Sequence, residues 1–454
     1  MLRSINPATG EQTAEFEPHS IPEIVGAVEA AHTAFEKWKR VSVKERAEKL
    51  RGLAATLRAK QNHCARLATE EMGKPITESR SEIEKCALMC DYYAENVEKA
   101  LTDEPVKTEA AESFVTYQPL GVILAVMPWN FPFWQFFRAA VPTLVAGNAV
   151  VLKHASNVPR CAIAIEEIFR EAKWPEDLVR VILCGPDGAS VALAHDAVQG
   201  VTLTGSAAAG MQIAALAGTV LKKCVMELGG SDPYLILEDA DLDLAAKLCA
   251  QSRCNNGGQT CISAKRFMVV ESVRAEFEKK FIHELQNWMP GDPLHETTKL
   301  GPLARTDVRD SLQNQVDASI AAGAKLLLGG QPVPGPGNYY PPTVLTDVRP
   351  GMAVFDEETF GPVAAIIPVK DEAETIALAN QHRYGLGAGV FTRDLARGRR
   401  IAREELEAGT CVVNDFVKSD PRMPFGGVKQ SGYGRELGLF GPREFVNIKS
   451  VVVR

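Results

Sequence analysis

The chain has 454 residues, 46% of them hydrophobic and 24% charged, and a formal net charge of −7 at neutral pH. This length exceeds what one ordinary core accommodates, so we expect two or more domains. The mild charge argues against nucleic acid or a membrane surface as the main partner, and no apolar run reaches the roughly 20 residues that a membrane span requires. The opening MLRSINPATGEQ lacks the apolar stretch of a secretory signal, and the ten cysteines show no paired spacing, which predicts reduced thiols in the cytoplasm.

Helical spacing dominates the first hundred residues, and strand-like residues occur there only at the extreme N-terminus. Cys86 and Cys90 lie four residues apart on one of these helices without other ligand-type neighbours, so we predict no metal site. The helical pattern is clearest where apolar side chains recur every three or four residues, at Ile24, Val28, Ala31, Phe35 and Trp38.

From residue 113 onward, strands alternate with helices. After an alternating segment at 113–117, apolar runs of the buried parallel type occur at 121–128, 149–153, 178–183 and 200–206. A second series follows ELGG (227–230), with strand-like runs at 233–237, 266–270, 364–369, 387–392 and 409–414. This alternation predicts a doubly wound α/β architecture.

Two further segments stand apart from this alternation. The stretch GGQPVPGPGNYYPP (329–342) is too rich in proline and glycine for regular structure, so we predict a loop. The C-terminal NIKSVVVR reads as an exposed strand. Because an exposed strand edge can pair with another chain, we predict that it forms a subunit-joining arm together with residues 101–119.

Cys261 follows the small polar run NNGGQT (255–260), which is an unusual setting for a thiol. The simplest alternative is a buried cysteine that acts as a small hydrophobe. Glycines and amides, however, can supply backbone N–H groups, and a helix beginning near Cys261 would favour a thiolate through its dipole. Cys161 and Cys249 lie in apolar helical patterns and are expected to be inert. We therefore predict that Cys261 is a nucleophile.

A nucleophilic thiol needs a donor for the oxyanion and usually a base. Most of the eight histidines lie in polar patterns, which argues against a cysteine–histidine protease arrangement. Glu227 follows an apolar strand and precedes two glycines, and Asn130 is held between two prolines directly after a strand. They are candidates for the base and the oxyanion donor. The alternatives are a solvated strand-terminal glutamate and an ordinary turn asparagine.

No G-x-G-x-x-G fingerprint for dinucleotides is present. The segment TGSAAAG (204–210) passes from a strand through small residues into a helix, where backbone N–H groups could meet a phosphate. Lys153 lies just beyond another strand end, which is also a crevice position suited to a nucleotide.

Seven motifs follow one another along the chain: PWNFP (128–132), Lys153 after its strand, TGSAAAG, ELGG, GQTC (258–261), EETFGP (357–362) and PFGGVKQSG (424–432). Taken in this order, they resemble the motifs of the NAD(P)-dependent aldehyde dehydrogenase superfamily. The resemblance covers essentially the whole chain, and the segments ELGGSDP and MPWNFPFWQFFR are most similar to bacterial succinate-semialdehyde dehydrogenases.

The resemblance implies an α/β fold in three parts, assembled as a homodimer or homotetramer. A Rossmann-like dinucleotide-binding domain would comprise residues 1–100 and 120–226. An α/β catalytic domain would comprise 227–429, and a small β oligomerisation arm with the C-terminal tail would comprise 101–119 and 430–454.

The resemblance also implies the site residues. Cys261 would attack the aldehyde carbonyl, and the Asn130 amide with the Cys261 N–H would hold the oxyanion. Hydride would pass to the nicotinamide, and Glu227 would activate the water that hydrolyses the thioester. The implied cofactor-binding residues are Trp129, Lys153, Ala155, Ser156, Gly205, Ser206, Leu228, Glu358 and Phe360.

Ser156 bears on the choice of cofactor. NAD-preferring relatives often carry a glutamate three residues after the lysine, and here that position is Ser156. A serine hydroxyl can donate to a 2′-phosphate, and Lys153 can neutralise it, so we predict NADP as the preferred cofactor and NAD as the alternative. The competing interpretation is that Ser156 only caps a turn.

The implied substrate is succinate semialdehyde, with contacts from Trp134, Gln135, Arg138 and Ser419. Arg138 is expected to bind the distal carboxylate, because guanidinium groups pair with carboxylates in bidentate fashion; the alternative is an ordinary surface or interface arginine. Two positions depart from relatives. Asn255 stands where other succinate-semialdehyde dehydrogenases have an arginine, and Ser263 stands where some have a cysteine of a regulatory disulfide, so no such switch is predicted.

Two alternative functions stay open at this point. A broad aldehyde dehydrogenase could act on glutarate semialdehyde or on other short or aromatic aldehydes, which Phe133, Trp134, Phe136 and Phe137 would suit. A non-catalytic structural protein could keep the fold, although the intact Cys261 argues against it. A CoA-acylating enzyme is disfavoured because a base such as Glu227 would lose the thioester to water.

Overall fold

The computed structural model describes all residues, 1–454. Its N-terminal part is helical, as predicted. Ser42 illustrates how one of these helices begins: its hydroxyl accepts a hydrogen bond from the Glu45 N–H, and the Glu45 carboxylate accepts one from the Ser42 N–H at 3.1 Å. The elements are β1 (Leu2–Ile5), β2 (Gln12–Phe16), α1 (Ile21–Trp38), α2 (Val43–Ala59), α3 (Gln61–Met72), α4 (Ile76–Leu101), β3 (Glu104–Pro105) and β4 (Glu112–Pro119).

A first sheet carries the predicted strand–helix alternation. Its elements are β5 (Val122–Met127), α5 (Trp134–Val145), β6 (Ala149–His154), α6 (Pro159–Glu171), β7 (Val179–Val181), α7 (Pro186–Ala194), β8 (Val198–Thr204), α8 (Ala207–Thr219) and β9 (Lys223–Glu227). The parallel strands lie in the order β9-β8-β5-β6-β7. Successive strands are added on one side of β5 up to β7 and on its other side from β8 onward, so the strand order reverses between β5 and β8. A crevice opens at such a point beyond the carboxyl ends of the strands.

The second sheet follows directly. Its elements are β10 (Asp232–Ile236), α9 (Leu242–Cys254), β11 (Ala264–Val270), α10 (Glu271–Leu285), α11 (Thr306–Ala321), β12 (Lys325–Leu328), β13 (Thr343–Thr346), α12 (Ala353–Asp356), β14 (Val363–Val369), α13 (Glu372–Asn380), β16 (Gly387–Phe391), α14 (Leu395–Arg400) and β17 (Thr410–Val413). The two-residue β15 (Tyr384–Gly385) lies between α13 and β16 outside this sheet and pairs with residues 428–429 of the tail. The order is β12-β13-β14-β11-β10-β16-β17, parallel except for β12. These two sheets confirm the predicted α/β class, and 329–342 contains no helix or strand, as predicted.

The tail contains β18 (Val428–Lys429), β19 (Gly432–Tyr433), α15 (Gly441–Glu444) and β20 (Val446–Val453). Along its whole length β20 pairs antiparallel with β4, and β3 completes a three-stranded arm in the order β20-β4-β3. The predicted boundary at residue 430 is wrong for one element, because β19 pairs with β9 of the first sheet. Gly432 permits this close approach: its φ is +110°, and a Cβ there would lie 1.9 Å from the Met226 carbonyl oxygen.

The main hydrophobic core lies around the first sheet and the N-terminal helices, and a smaller core lies in the second sheet. No helix combines the length and apolar character needed to cross a membrane. The carboxyl edge of the first sheet faces the segments that precede β10, β11 and β14, and this junction contains the residues with candidate chemistry.

Candidate active site

Cys261 lies at the wall between two cavities. One, here called the sheet-edge crevice, encloses about 710 Å³ between the first and second sheets. Its lining residues are Pro128, Trp129, Asn130, Gln135, Thr204, Gly205, Ser206, Leu228, Gly229, Cys261, Glu358 and Phe360. The other, the α4–α5 pocket, encloses about 570 Å³ and is lined by side chains of helices α4 and α5, by the Cys261 loop and by residues 416–419. Only Gln135 and Cys261 line both cavities.

The loop before Cys261 is a tight left-handed turn. Asn256, Gly257 and Gly258 have φ values of 54°, 64° and 72°. A Cβ on Gly258 would lie 2.4 Å from the Gly361 backbone, so a side chain cannot be accommodated there. No helix begins at Cys261, because the chain passes from this loop through a short turn into β11, so the helix-dipole argument for a thiolate does not apply. Backbone geometry explains the small polar run that precedes the thiol.

The charge environment of Cys261 also differs from the predicted thiolate site. Burial raises the pKa of the Cys261 thiol to about 12. The positive charges of Arg138 and Lys265 oppose this shift, while Glu358 and Glu227 add to it. The thiol therefore needs assistance to ionise near neutral pH.

Asn130 lies next to Cys261 and joins two loops. Its Nδ2 donates to the Gln259 carbonyl oxygen at 3.0 Å, and Asn256 Nδ2 donates to the Asn130 carbonyl oxygen at 2.7 Å. A side-chain amide has two N–H donors, so one remains for another acceptor. The Cys261 backbone N–H donates to no protein group. These two donors can serve an oxyanion bound at the thiol.

Glu227 is the last residue of β9 and is buried. Its Oε1 has no hydrogen-bond partner. Burial raises its pKa well above the ordinary value, the nearby Arg138 guanidinium opposes this, and Glu436 adds to the rise. A carboxyl group in this state is a stronger base than an exposed glutamate.

The predicted cofactor residues fall into two groups. Trp129, Gly205, Ser206, Leu228, Glu358 and Phe360 all line the sheet-edge crevice, whereas Lys153, Ala155 and Ser156 lie outside that lining, at the end of β6. Ser206 caps α8, and its Oγ accepts from the Ala209 N–H at 3.3 Å. The crevice at the switch point, with the α8 N-terminus opening onto it, fits a dinucleotide.

Glu358 is held by a residue that the sequence analysis missed. Lys265 Nζ donates to Glu358 Oε1 at 3.0 Å and to the Cys261 carbonyl oxygen at 2.8 Å. The Gly230 N–H also donates to Glu358 Oε1, at 3.1 Å. Lys265 follows Cys261 by four residues, so its proximity to the motif was the available signal.

The predicted substrate residues Trp134, Gln135, Arg138 and Ser419 all line the α4–α5 pocket together with Cys261. Arg138, however, is not free. It forms a buried ion pair with Glu436, its Nη2 donates to Thr204 Oγ1 at 3.3 Å, and its guanidinium stacks on the Phe425 ring. The prediction that Arg138 is the main anion anchor therefore conflicts with the charge pairing in this structure. Lys85, which the sequence analysis did not consider, lines the same pocket.

Two acids of α4, the buried Glu82 and the half-buried Glu78, hold both loops of the site, and the sequence analysis missed them too. Glu82 Oε1 accepts from the N–H groups of Phe133 and Trp134 at 2.8 and 2.9 Å, and Glu78 Oε2 accepts from the Asn256 N–H at 2.8 Å. Glu82 also pairs with the buried Lys74. The position of Glu82 on the apolar face of α4, beside Ile83 and Cys86, was the signal.

The sequence profile of the aldehyde dehydrogenase family matches residues 1–451. The chain is 48% identical over 450 residues to a probable succinate-semialdehyde dehydrogenase [NADP(+)] of Synechocystis, covering 99% of both chains. It is 46% identical over 448 residues to the succinate semialdehyde dehydrogenase [NAD(P)+] of Escherichia coli K12, covering 99% of this chain and 97% of the relative. Among solved structures, succinic semialdehyde dehydrogenase from Streptococcus pyogenes in complex with NADP+ superposes with a TM-score of 0.97 at 35% identity, covering 100% of both chains.

Proposed function

The chain belongs to the aldehyde dehydrogenase family, and on that premise we propose that it oxidises succinate semialdehyde to succinate. NADP+ is the preferred cofactor and NAD+ the second. The names of the similar Synechocystis and Escherichia coli proteins support this choice of substrate and cofactor. The supporting observation from the structure is the position of Cys261, which borders both the sheet-edge crevice and the α4–α5 pocket.

Each of the three proposed catalytic residues has one task. Cys261 Sγ releases its proton to solvent water and adds as the thiolate to the aldehyde carbonyl. The free N–H of Asn130 and the Cys261 backbone N–H stabilise the oxyanion, because both donors are in place before the reaction. Glu227, whose pKa is raised by burial, takes a proton from the water that hydrolyses the thioester. When bound, NAD(P)+ supplies the hydride acceptor.

A substrate panel tests this proposal. Purified protein is given succinate semialdehyde, glutarate semialdehyde, butanal or benzaldehyde, each with NADP+ and with NAD+, and the reduced cofactor is followed by absorbance. We expect the highest kcat/KM for succinate semialdehyde with NADP+, and we expect Cys261→Ser to abolish turnover. Full activity of the serine variant, or no oxidation of any aldehyde by the parent protein, would contradict the proposal.

A second candidate is a broader aldehyde dehydrogenase. Four aromatic side chains line the α4–α5 pocket and suit an apolar or aromatic aldehyde: Phe131, Trp134, Phe416 and Phe425. Glutarate semialdehyde differs by one methylene, which an apolar pocket discriminates by only about 1–3 kcal/mol. In the panel above, equal kcat/KM for butanal and succinate semialdehyde would favour this alternative.

We also propose the predicted division into a dinucleotide-binding domain, a catalytic domain and an arm, with β19 reassigned to the first sheet. The three-stranded arm supports association into a homodimer or homotetramer, because β20 lies at its edge. A cytoplasmic location stays a prediction from cysteine usage, and the expected partners are the small aldehyde and further copies of this chain.

A further inference from the structure

The α4–α5 pocket is lined by three cationic side chains, namely Lys85, Arg138 and Lys418. Two of them already have anionic partners: Arg138 pairs with Glu436, and Lys418 Nζ lies 3.1 Å from Asp415 Oδ1. Lys85 has no carboxylate oxygen within 4.0 Å. It is therefore the one cation of this pocket that forms no direct ion pair with a carboxylate.

Lys85 belongs to a small donor cluster with Ser419 and Trp134. Lys85 Nζ donates to Ser419 Oγ at 2.7 Å and lies over the Trp134 ring at 4.1 Å from its centroid. Trp134 Nε1 also donates to Ser419 Oγ, at 3.1 Å. The Ser419 oxygen thus accepts two hydrogen bonds, which occupies both of its lone pairs, and its own O–H requires an acceptor elsewhere.

We propose that Lys85, with the Ser419 hydroxyl, binds the distal carboxylate of the aldehyde substrate. This inference rests on the proposed function and assigns the anion recognition within it to Lys85 instead of Arg138. One oxygen of the substrate carboxylate accepts a hydrogen bond from the Lys85 ammonium group, and an oxygen of the same carboxylate accepts one from the Ser419 O–H. The Lys85 ammonium group and the Ser419 O–H then both gain an acceptor from one ligand, because a carboxylate is an acceptor with no donors.

The burial and the charges around Lys85 favour the binding of an anion beside it. Burial lowers the pKa of Lys85 to about 8, the positive charge of Arg138 acts in the same direction, and Cys86, Glu82 and Asp420 oppose it. A bound carboxylate adds a close negative charge and stabilises the ammonium form. Keeping an unpaired ammonium ion in this partly buried pocket costs free energy, and pairing with a carboxylate recovers part of that cost as binding free energy.

Replacement of the ammonium tests the proposal directly. Lys85→Met removes the charge and keeps a long unbranched side chain. We expect kcat/KM for succinate semialdehyde to fall roughly 10- to 100-fold, the size of a lost charged hydrogen bond, mostly through KM. For butanal, which has the same length and no carboxylate, kcat/KM should change less than threefold. Lys85→Arg should keep most of the preference.

Two further variants serve as controls. Lys99→Met removes an exposed ammonium from the same helix and should behave as the parent protein. Lys418→Met removes another cation of the pocket, and a selective loss of succinate semialdehyde oxidation in this variant but not in Lys85→Met would overturn the proposal.

A measurement on the unmodified protein gives an independent check. The ratio of kcat/KM for succinate semialdehyde to that for butanal should fall as the pH rises through about 8, where Lys85 loses its proton. A ratio that stays constant between pH 7 and 10, together with a parent-like Lys85→Met variant, rules out the anchor while the proposed function stands. A parent protein that oxidises butanal but not succinate semialdehyde would instead overturn the proposed function.

Discussion

At the residue scale, charge around Cys261 decides when the thiol reacts. Burial among two carboxyl groups and two cations leaves the pKa of Cys261 at about 12, whereas a helix dipole at this position would lower it. In the free enzyme the thiol is therefore mostly protonated near neutral pH. Ionisation is expected to accompany substrate or cofactor binding.

The first prediction concerns the reactivity of this thiol. In the free enzyme, the rate of Cys261 alkylation by iodoacetamide should rise with pH and show no plateau below about pH 10, because the thiolate fraction is still increasing there. Mass spectrometry of the peptide containing Cys261 measures the rate, and Cys261→Ser identifies background labelling of the other cysteines. A plateau near neutral pH would show that the thiol is already ionised.

A second prediction concerns cofactor choice. Ser156 is exposed at the end of β6 and makes no hydrogen bond through its hydroxyl, so it can be replaced without disturbing the fold. Ser156→Glu should shift the kcat/KM ratio of NADP+ to NAD+ toward NAD+ by roughly fivefold or more, the effect of about 1 kcal/mol of repulsion against the 2′-phosphate. Ser81→Glu, exposed on α4, adds the same charge elsewhere and should leave the ratio unchanged. An unchanged ratio in Ser156→Glu would place the 2′-phosphate away from this residue.

At the element scale, α4 organises the site although it contributes none of the predicted motifs. Glu82 accepts hydrogen bonds from the first N–H groups of α5, Glu78 fixes the loop before Cys261, and Lys85 reaches the α4–α5 pocket. These three residues recur at helical spacing, so one face of α4 presents them all toward the reacting region. Rigid placement of both loops follows from a single helix.

The third prediction tests the buried ion pair between Glu82 of α4 and Lys74. Glu82→Gln keeps an amide oxygen for the α5 N–H groups but leaves Lys74 buried without its counter-ion, which should lower the free energy of unfolding by about 3–5 kcal/mol. Chemical denaturation measures the loss. Glu84→Gln, two residues along the same helix and partly exposed beside Arg58, should cost no more than about 1 kcal/mol. Equal stability of the two variants would contradict the contribution of the Glu82–Lys74 ion pair to stability.

At the scale of the whole molecule, the sequence predicts the two strand–helix series well because buried parallel strands read as unbroken apolar runs, as at 121–128 and 149–153. It also identifies Cys261, Asn130 and the crevice residues through local motifs. It cannot predict the pairing of Arg138 with Glu436, which are far apart in sequence and meet only through tertiary packing. The same limit applies to Lys85, since its significance depends on which neighbouring cations are already paired.

The arm offers a surface through which we expect copies of the chain to associate. β20 is the edge strand of its sheet, and Ile448 and Val452, each 62% exposed, lie on one face of it. The outer edge of this eight-residue strand has no partner strand, and an exposed edge with apolar side chains promotes aggregation in solution. We therefore expect a second copy of the chain to cover it.

Charges placed on that face provide the fourth prediction. The double variant Ile448→Lys with Val452→Lys should shift the protein from dimer or tetramer toward monomer in light scattering, because paired copies would have to bury four like charges. Leu221→Lys, at a position that is 95% exposed on another part of the surface, should leave the oligomeric state unchanged. If the double variant associates as the parent protein does, the subunits meet elsewhere. Because no residue of the arm lines either cavity, a dissociated and still folded variant should retain aldehyde oxidation, which would separate assembly from catalysis.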